Sequence, residues 1–252
     1  MNETVTPDAK RRGGRRERRD LRTRPDHAML PTLAGQLPLT EPMDQEQIER
    51  IDAASLDILE EVGVVFRDDI ALEDWRKAGA DVRGERVHLD RGLVKSLIKT
   101  IPSEITLHAR NPEKTVALGG RQSIFIPMTG APYLRDLEDV RRSPTLDDLA
   151  NFHKLAHMLP AMHSSAHHIV EPMDHPISHR HLRITHSSML YSDKTFMGMT
   201  TSGQNAEDVL DMCAILFGEE YLETHAVVTG NCNGNSPLVW DETMLSAMRA
   251  FN

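Results

Sequence analysis

The chain has 252 residues, 39% of them hydrophobic and 27% charged, and a net charge of −9. That is enough for one large domain or two small ones around a sizeable core. No apolar run approaches the ~20 residues needed to span a bilayer. The two cysteines, Cys213 and Cys232, cannot form a disulfide framework, which points to a reducing, cytoplasmic setting.

The charge is uneven. Residues 10–24 carry nine basic side chains against Glu17 and Asp20, leaving −16 for the rest of the chain. A body that acidic disfavours nucleic acid; only the basic arm is suited to RNA, lipid or a partner. No hydrophobic stretch follows the arginines, as a secretory signal would require. Residues 1–40 therefore read as a disordered Arg/Gly-rich arm and a linker containing Pro25, Pro31 and Pro38.

Asp44 and Gln47 form a capping-box pattern ahead of a helix that Gly63 ends, with Ile48, Ile51, Ile58, Leu59 and Val62 at helical spacing. A second helix fits Asp69–Ala78, a hairpin Val82–Leu89, and a third helix Arg91–Thr100. Strand-like runs follow at Ile105–His108 and Thr115–Leu118. Residues 41–120 thus form an N-terminal α+β extension.

From residue 121 the pattern alternates. Strand-like runs at Ser123–Met128, Ala161–Val170, Lys194–Thr200 and Ala226–Thr229 are interleaved with helical stripes at Leu146–Leu159, His179–Tyr191, Ala206–Phe217 and Glu242–Phe251. Thr145 and Asn205 suit N-caps, and Gly218 suits a stop. A strand-helix alternation of roughly 30 residues predicts βαβ units and a parallel sheet.

A parallel sheet presents its ligand site at the C-terminal strand ends. Those ends bring Tyr133 with Thr129 and Gly130, His168 and Glu171 with His167, Thr200 with Thr201 and Ser202, and Asn231 and Asn233 with Ser236. These groups orient a ligand by hydrogen bonds; they do not resemble a nucleophile with its base, and no catalytic residue is assigned. Gly230 is expected at positive φ in the turn after the fourth strand. Seven histidines between His163 and His186 invite a metal, and a metal-dependent hydrolase is the alternative reading. They make no H-E-x-x-H signature, however, and no metal is assigned. A non-catalytic amine- or RNA-binding module is the third reading.

The run L-T-E-P-M-D-Q-E-Q-I, the helix end E-E-V-G-V, the stretch F-I-P-M-T-G-A-P-Y-L-R-D-L and the motif N-S-P-L-V-W-D together resemble the trimethylamine methyltransferase (MttB-like) family, from about Leu39 onward. The resemblance implies a (β/α)8 TIM-barrel fold with an N-terminal extension, here incomplete, since about four βα units fall within residues 121–252. It implies methyl transfer from a methylated amine, of the trimethylamine or betaine type, to a cognate corrinoid protein. The cobalamin rides on that partner, so no cofactor is bound directly. Tyr133 and Trp240 are the aromatic candidates for the cation. The resemblance also implies a truncated or split chain, completed by a C-terminal half or by a homo-oligomer.

Overall fold

The computed structural model describes residues 28–35 and 40–251; the basic arm expected over residues 1–24 lies outside them. Within the expected linker, β1 (Leu33–Ala34) is a short strand, and Leu30 N–H donates to Pro160 O at 2.9 Å. α1 (Gln45–Asp57) starts at the anticipated capping box. Gln47 N–H donates to Asp44 Oδ1 at 2.8 Å and Asp44 N–H to Gln47 Oε1 at 3.0 Å, satisfying donors that a helix start leaves free. A π-helical turn, Ile58–Val62, continues α1 as far as Gly63. Gly63 has φ of 73°, and a Cβ there would lie 2.7 Å from Val87 O, so no other residue fits without displacing that strand.

β2 (Val64–Arg67), α2 (Asp69–Lys77), β3 (Asp81–Arg83), β4 (Arg86–His88) and α3 (Arg91–Ile98) complete the front of the extension. Val64 and Phe66 face inward on β2, as the twofold alternation of a strand demands. They meet Ala71, Leu72, Val87, Leu89 and Leu245 in one core. β5 (Glu104–Leu107) and β6 (Val116–Gly119) make an antiparallel pair, and β7 (Gln122–Ser123) pairs with β1.

The second half contains β8 (Leu134–Arg135), β9 (Arg141–Arg142), α4 (Leu146–Met158), α5 (Ile177–Tyr191), β10 (Phe196–Met197), α6 (Gly203–Phe217), α7 (Glu219–Leu222), β11 (Val228–Thr229), β12 (Val239–Asp241) and α8 (Glu242–Ala250). β8 and β9 form an antiparallel hairpin, whereas four other extended segments lie side by side and run the same way. Ala131 bridges Val170, Ser164 bridges Thr195, and β10 pairs with β11, all parallel. The long strand expected over Ala161–Val170 is held by isolated bridges instead. Ala166 stands at φ 57° and its N–H donates to Ser164 Oγ at 3.1 Å, which breaks the regular ladder. α6 begins at Ser202, whose Oγ accepts from Asn205 N–H at 3.1 Å. The expected cap, Asn205, is already in the helix, and its side chain donates to Thr201 Oγ1 at 2.8 Å.

Two cores flank this sheet. One joins Met189, Phe196, Met199, Val209, Cys213 and Val227; the other joins Leu149, Val170 and Ile184. Lys194 is buried and donates to Ala156 O, Leu159 O and Met162 O at 2.8, 2.8 and 2.6 Å. It thereby closes the carbonyl end of α4, while burial pushes its ammonium down to about 8.

β12 was not anticipated within the polar loop. It pairs parallel with β2, Trp240 opposite Phe66, in a sheet of order β12-β2-β4-β3. The front extension and the last helix are therefore built together. Arg249 on α8 grips the buried Asp68 carboxylate with two hydrogen bonds, 3.0 and 2.7 Å, and Asp68 Oδ1 also caps α2 through Ala71 N–H at 2.7 Å. The Arg249 guanidinium holds the Asp68 carboxyl below its usual range. Arg249→Met strands that carboxylate, and we expect a loss of about 2–3 kcal/mol in denaturant unfolding. An unchanged midpoint would contradict this role.

Candidate functional site

Parallel alignment puts the C-terminal ends of the segments on one edge. Gly130 N–H donates to His168 O at 2.8 Å, and Glu171 N–H to Ala131 O at 2.9 Å, so the ends of the first two segments are in register. Gly130 has φ of 80°, and a Cβ on it would lie 3.4 Å from His168 Nε2. The His168 ring therefore stands over the backbone at the rim.

Beneath the rim the interior is polar. Nδ1 of His167 bonds to Nδ1 of His168. His153, on α4, donates from Nε2 to His167 O at 2.7 Å, and its Nδ1 meets Ser187 Oγ of α5 at 2.9 Å. Burial lowers the pKa of His153, His167 and His168, and of these His167 is shifted furthest. Glu171 Oε1 takes a 2.8 Å hydrogen bond from Arg180 Nη1, while Arg180 also donates twice to His175 O. Glu171 Oε2 lies 3.9 Å from His168 Nε2.

The structure thus joins His168 to Glu171. It joins Thr200 to Asn231 as well, Thr200 Oγ1 donating to Asn231 O at 2.5 Å. The Thr200 segment is next to that of His168, a separation of roughly 5 Å between neighbouring strands. Tyr133 is elsewhere engaged: the Arg141 guanidinium of β9 covers its ring, 4.0 Å from the centroid. Asn233 and Ser236 are exposed on the turn beyond β11, and their side chains make no hydrogen bond among the described residues. Trp240 packs against the front core, and its indole also lies against the turn beyond β11, where a Cβ on Gly234 would come 3.1 Å from its Cε2.

Two residues important here gave little sign in the sequence. Arg180 sits in a histidine-rich helix, nine positions from the carboxylate it holds. Asn235 donates from Nδ2 to Asp241 Oδ2 at 2.6 Å and pairs its backbone with Val239, locking the turn. Its position in N-G-N-S-P was the available signal. Gly230 is not at positive φ. Its reason is space, since a Cβ would come 2.8 Å from Thr200 Cγ2 and 3.3 Å from Phe251 Cδ2.

His167 and His168 bond to each other, while His163 and His181 take separate partners. His163 Nδ1 accepts from Phe125 N–H at 2.9 Å, and His181 Nε2 bonds Asp208 Oδ2 at 2.6 Å. Among the described residues no group of three or more His, Cys, Asp or Glu is arranged to hold a metal ion. No helix among them is long and apolar enough to cross a membrane.

The sequence matches the family model for trimethylamine methyltransferase (MTTB) over residues 11–252. The chain belongs to this family. It is 41% identical over 216 residues to the glycine betaine methyltransferase of Desulfitobacterium hafniense strain Y51, covering 85% of this chain and 45% of that protein. Identity is 26% over 201 residues to the trimethylamine methyltransferase MttB of D. hafniense strain DSM 10664 / DCB-2, covering 77% and 40%. It is 33% over 112 residues to a proline betaine:corrinoid methyltransferase of Eubacterium limosum, covering 43% and 22%. The chain therefore spans about half the length, or less, of these family members.

Two outcomes test the site's construction. Gly230→Val forces its side chain onto Thr200 and Phe251, and chemical unfolding should reveal a loss of about 1–3 kcal/mol; wild-type stability would mean that the neighbours yield freely. The buried imidazoles make stability pH-dependent. Below the ordinary value of 6.5 the unfolded chain takes up protons that folded His153 and His167 refuse. Stability should then fall as the pH drops below 6.5, each histidine contributing at most about 1.4 kcal/mol per pH unit. Melting temperatures between pH 7.5 and 5.5 read this directly, and His153→Gln should flatten the slope.

Proposed function

We propose that the chain forms the first part of a corrinoid-dependent methyltransferase that demethylates a quaternary amine of the betaine type. Its parallel segments and following helices are, on this reading, the first four βα units of a (β/α)8 barrel. Further polypeptide would supply the strands beyond β11, whose outer edge takes no partner strand among the described residues. The single observation carrying the functional reading is the shared rim: His168 with Glu171, and Thr200 with Asn231, at adjoining strand ends. The higher identity to the glycine betaine enzyme than to the trimethylamine enzyme supports a betaine.

The chemistry is displacement at a methyl carbon. The nitrogen–methyl bond breaks, nitrogen keeps the electron pair and becomes an uncharged tertiary amine, and the product leaves with its carboxylate intact. A corrinoid on a partner protein supplies the methyl acceptor when bound. What this chain contributes is position: a cation held at the rim, one methyl turned outward, and water kept away, which together lower the entropic part of the barrier.

The test is methylation of a Co(I) corrinoid protein, followed by its absorbance, with glycine betaine or trimethylamine as donor. We expect glycine betaine to be preferred once polypeptide completing the barrel is present, and the 252-residue chain alone to be far slower. Preference for trimethylamine would remove the betaine assignment, and transfer from neither donor would remove the reading altogether.

A further inference from the structure

The two imidazoles at the end of the second parallel segment determine each other's protonation. Because Nδ1 of His167 and Nδ1 of His168 share a hydrogen bond, one of them carries the δ proton and the other accepts it. Suppose His168 were the donor. His167 would then carry its proton on Nε2, which is buried with no partner among the described residues, and an orphaned buried N–H is a costly defect. The bare Nε2 of His168 would also point its lone pair toward the Glu171 carboxylate, 3.9 Å away. Reversing the bond removes both problems. His167 donates from Nδ1, its buried Nε2 is bare, and His168 keeps its proton on Nε2, facing Glu171. Burial keeps His167 neutral, as this arrangement requires.

His168 is thus left with an N–H at the rim and no acceptor within hydrogen-bond reach among the described residues, since 3.9 Å exceeds it. The adjacent Glu171 carboxylate is anchored through its other oxygen by Arg180. A donor and a carboxylate side by side match a zwitterion, in which an ammonium and a carboxylate are separated by one carbon. A plain methylated amine would use only the carboxylate half.

We propose that His167 is a positioning residue that fixes His168 as an Nε2–H donor, and that His168 and Glu171 receive the carboxylate and the quaternary ammonium of a betaine-type substrate. This subsite rests on the methyl-transfer reading above.

Histidine-selective 15N NMR of the full chain tests the first half. His168 should be protonated at Nε2 and His167 at Nδ1. His167→Phe should release His168 into a mixture of tautomers, and His167→Asn, whose amide can take the place of Nδ1–H, should restore one. Proton assignments opposite to these, or a His168 tautomer indifferent to His167→Phe in a folded variant, overturn the positioning role.

The second half is read by titration with glycine betaine and with choline, which keeps the ammonium but lacks the carboxylate. The His168 Nε2 signal should move with glycine betaine only. His168→Leu should weaken glycine betaine roughly tenfold and leave choline unchanged, whereas Glu171→Gln should weaken both. An equal response to choline, or none to glycine betaine, overturns the subsite. Methyl transfer from glycine betaine with a KM unmoved by His168→Leu would sink the subsite while sparing the proposed function. A His168 response to glycine betaine without transfer to corrinoid would do the reverse.

Discussion

Three backbone hydrogen bonds underlie everything at the rim: Gly130 to His168, Ser165 to Thr195, and Gly198 to Thr229. Each joins neighbouring segments running the same way, and so each carries one more set of trailing side chains to a common edge. A single antiparallel pairing would have sent Asn231 or His168 to the opposite end of the sheet. The chemistry of the site is therefore a consequence of strand direction before it is a consequence of any side chain.

Direction alone would not hold the imidazoles still. Between sheet and helices the chain buries His153, Ser165, Ser187 and Ser188 where apolar residues are usual, and it satisfies them mutually: His153 with Ser187, Ser165 with Ser188 at 3.0 Å. Buried polar groups linked this way rigidify because each unmade bond is expensive in a low dielectric. His167 is held at its carbonyl by His153 and at its ring by His168. The rim imidazole is thereby anchored through the interior to α4 and α5.

The extension is more than an appendage. β12 leaves the parallel half to pair with β2, and Asp68 joins the start of α2 to the end of α8 across a sequence separation of 181. Leu245 of α8 completes the front core. The final βα unit is consequently braced by residues from the beginning of the chain, which fixes the turn carrying Asn231 and Asn233 from both sides.

Local signals were sufficient for much of this. Asp44 with Gln47, Thr145 with Asp148, and Gly63 and Gly218 mark helix ends through bonds that span only a few residues, and such bonds are visible in sequence order. The strand-helix alternation announced the parallel sheet, and the strand ends named His168, Glu171, Thr200 and Asn231. Other features depended on partners far away. Arg180 on Glu171, Arg141 on Tyr133, β12 on β2 and Arg249 on Asp68 pair residues from different elements. Sequence by itself determined which segments form and which polar groups end the strands. Only tertiary structure decided which of those groups face each other, because long-range pairing depends on packing geometry that no local pattern encodes.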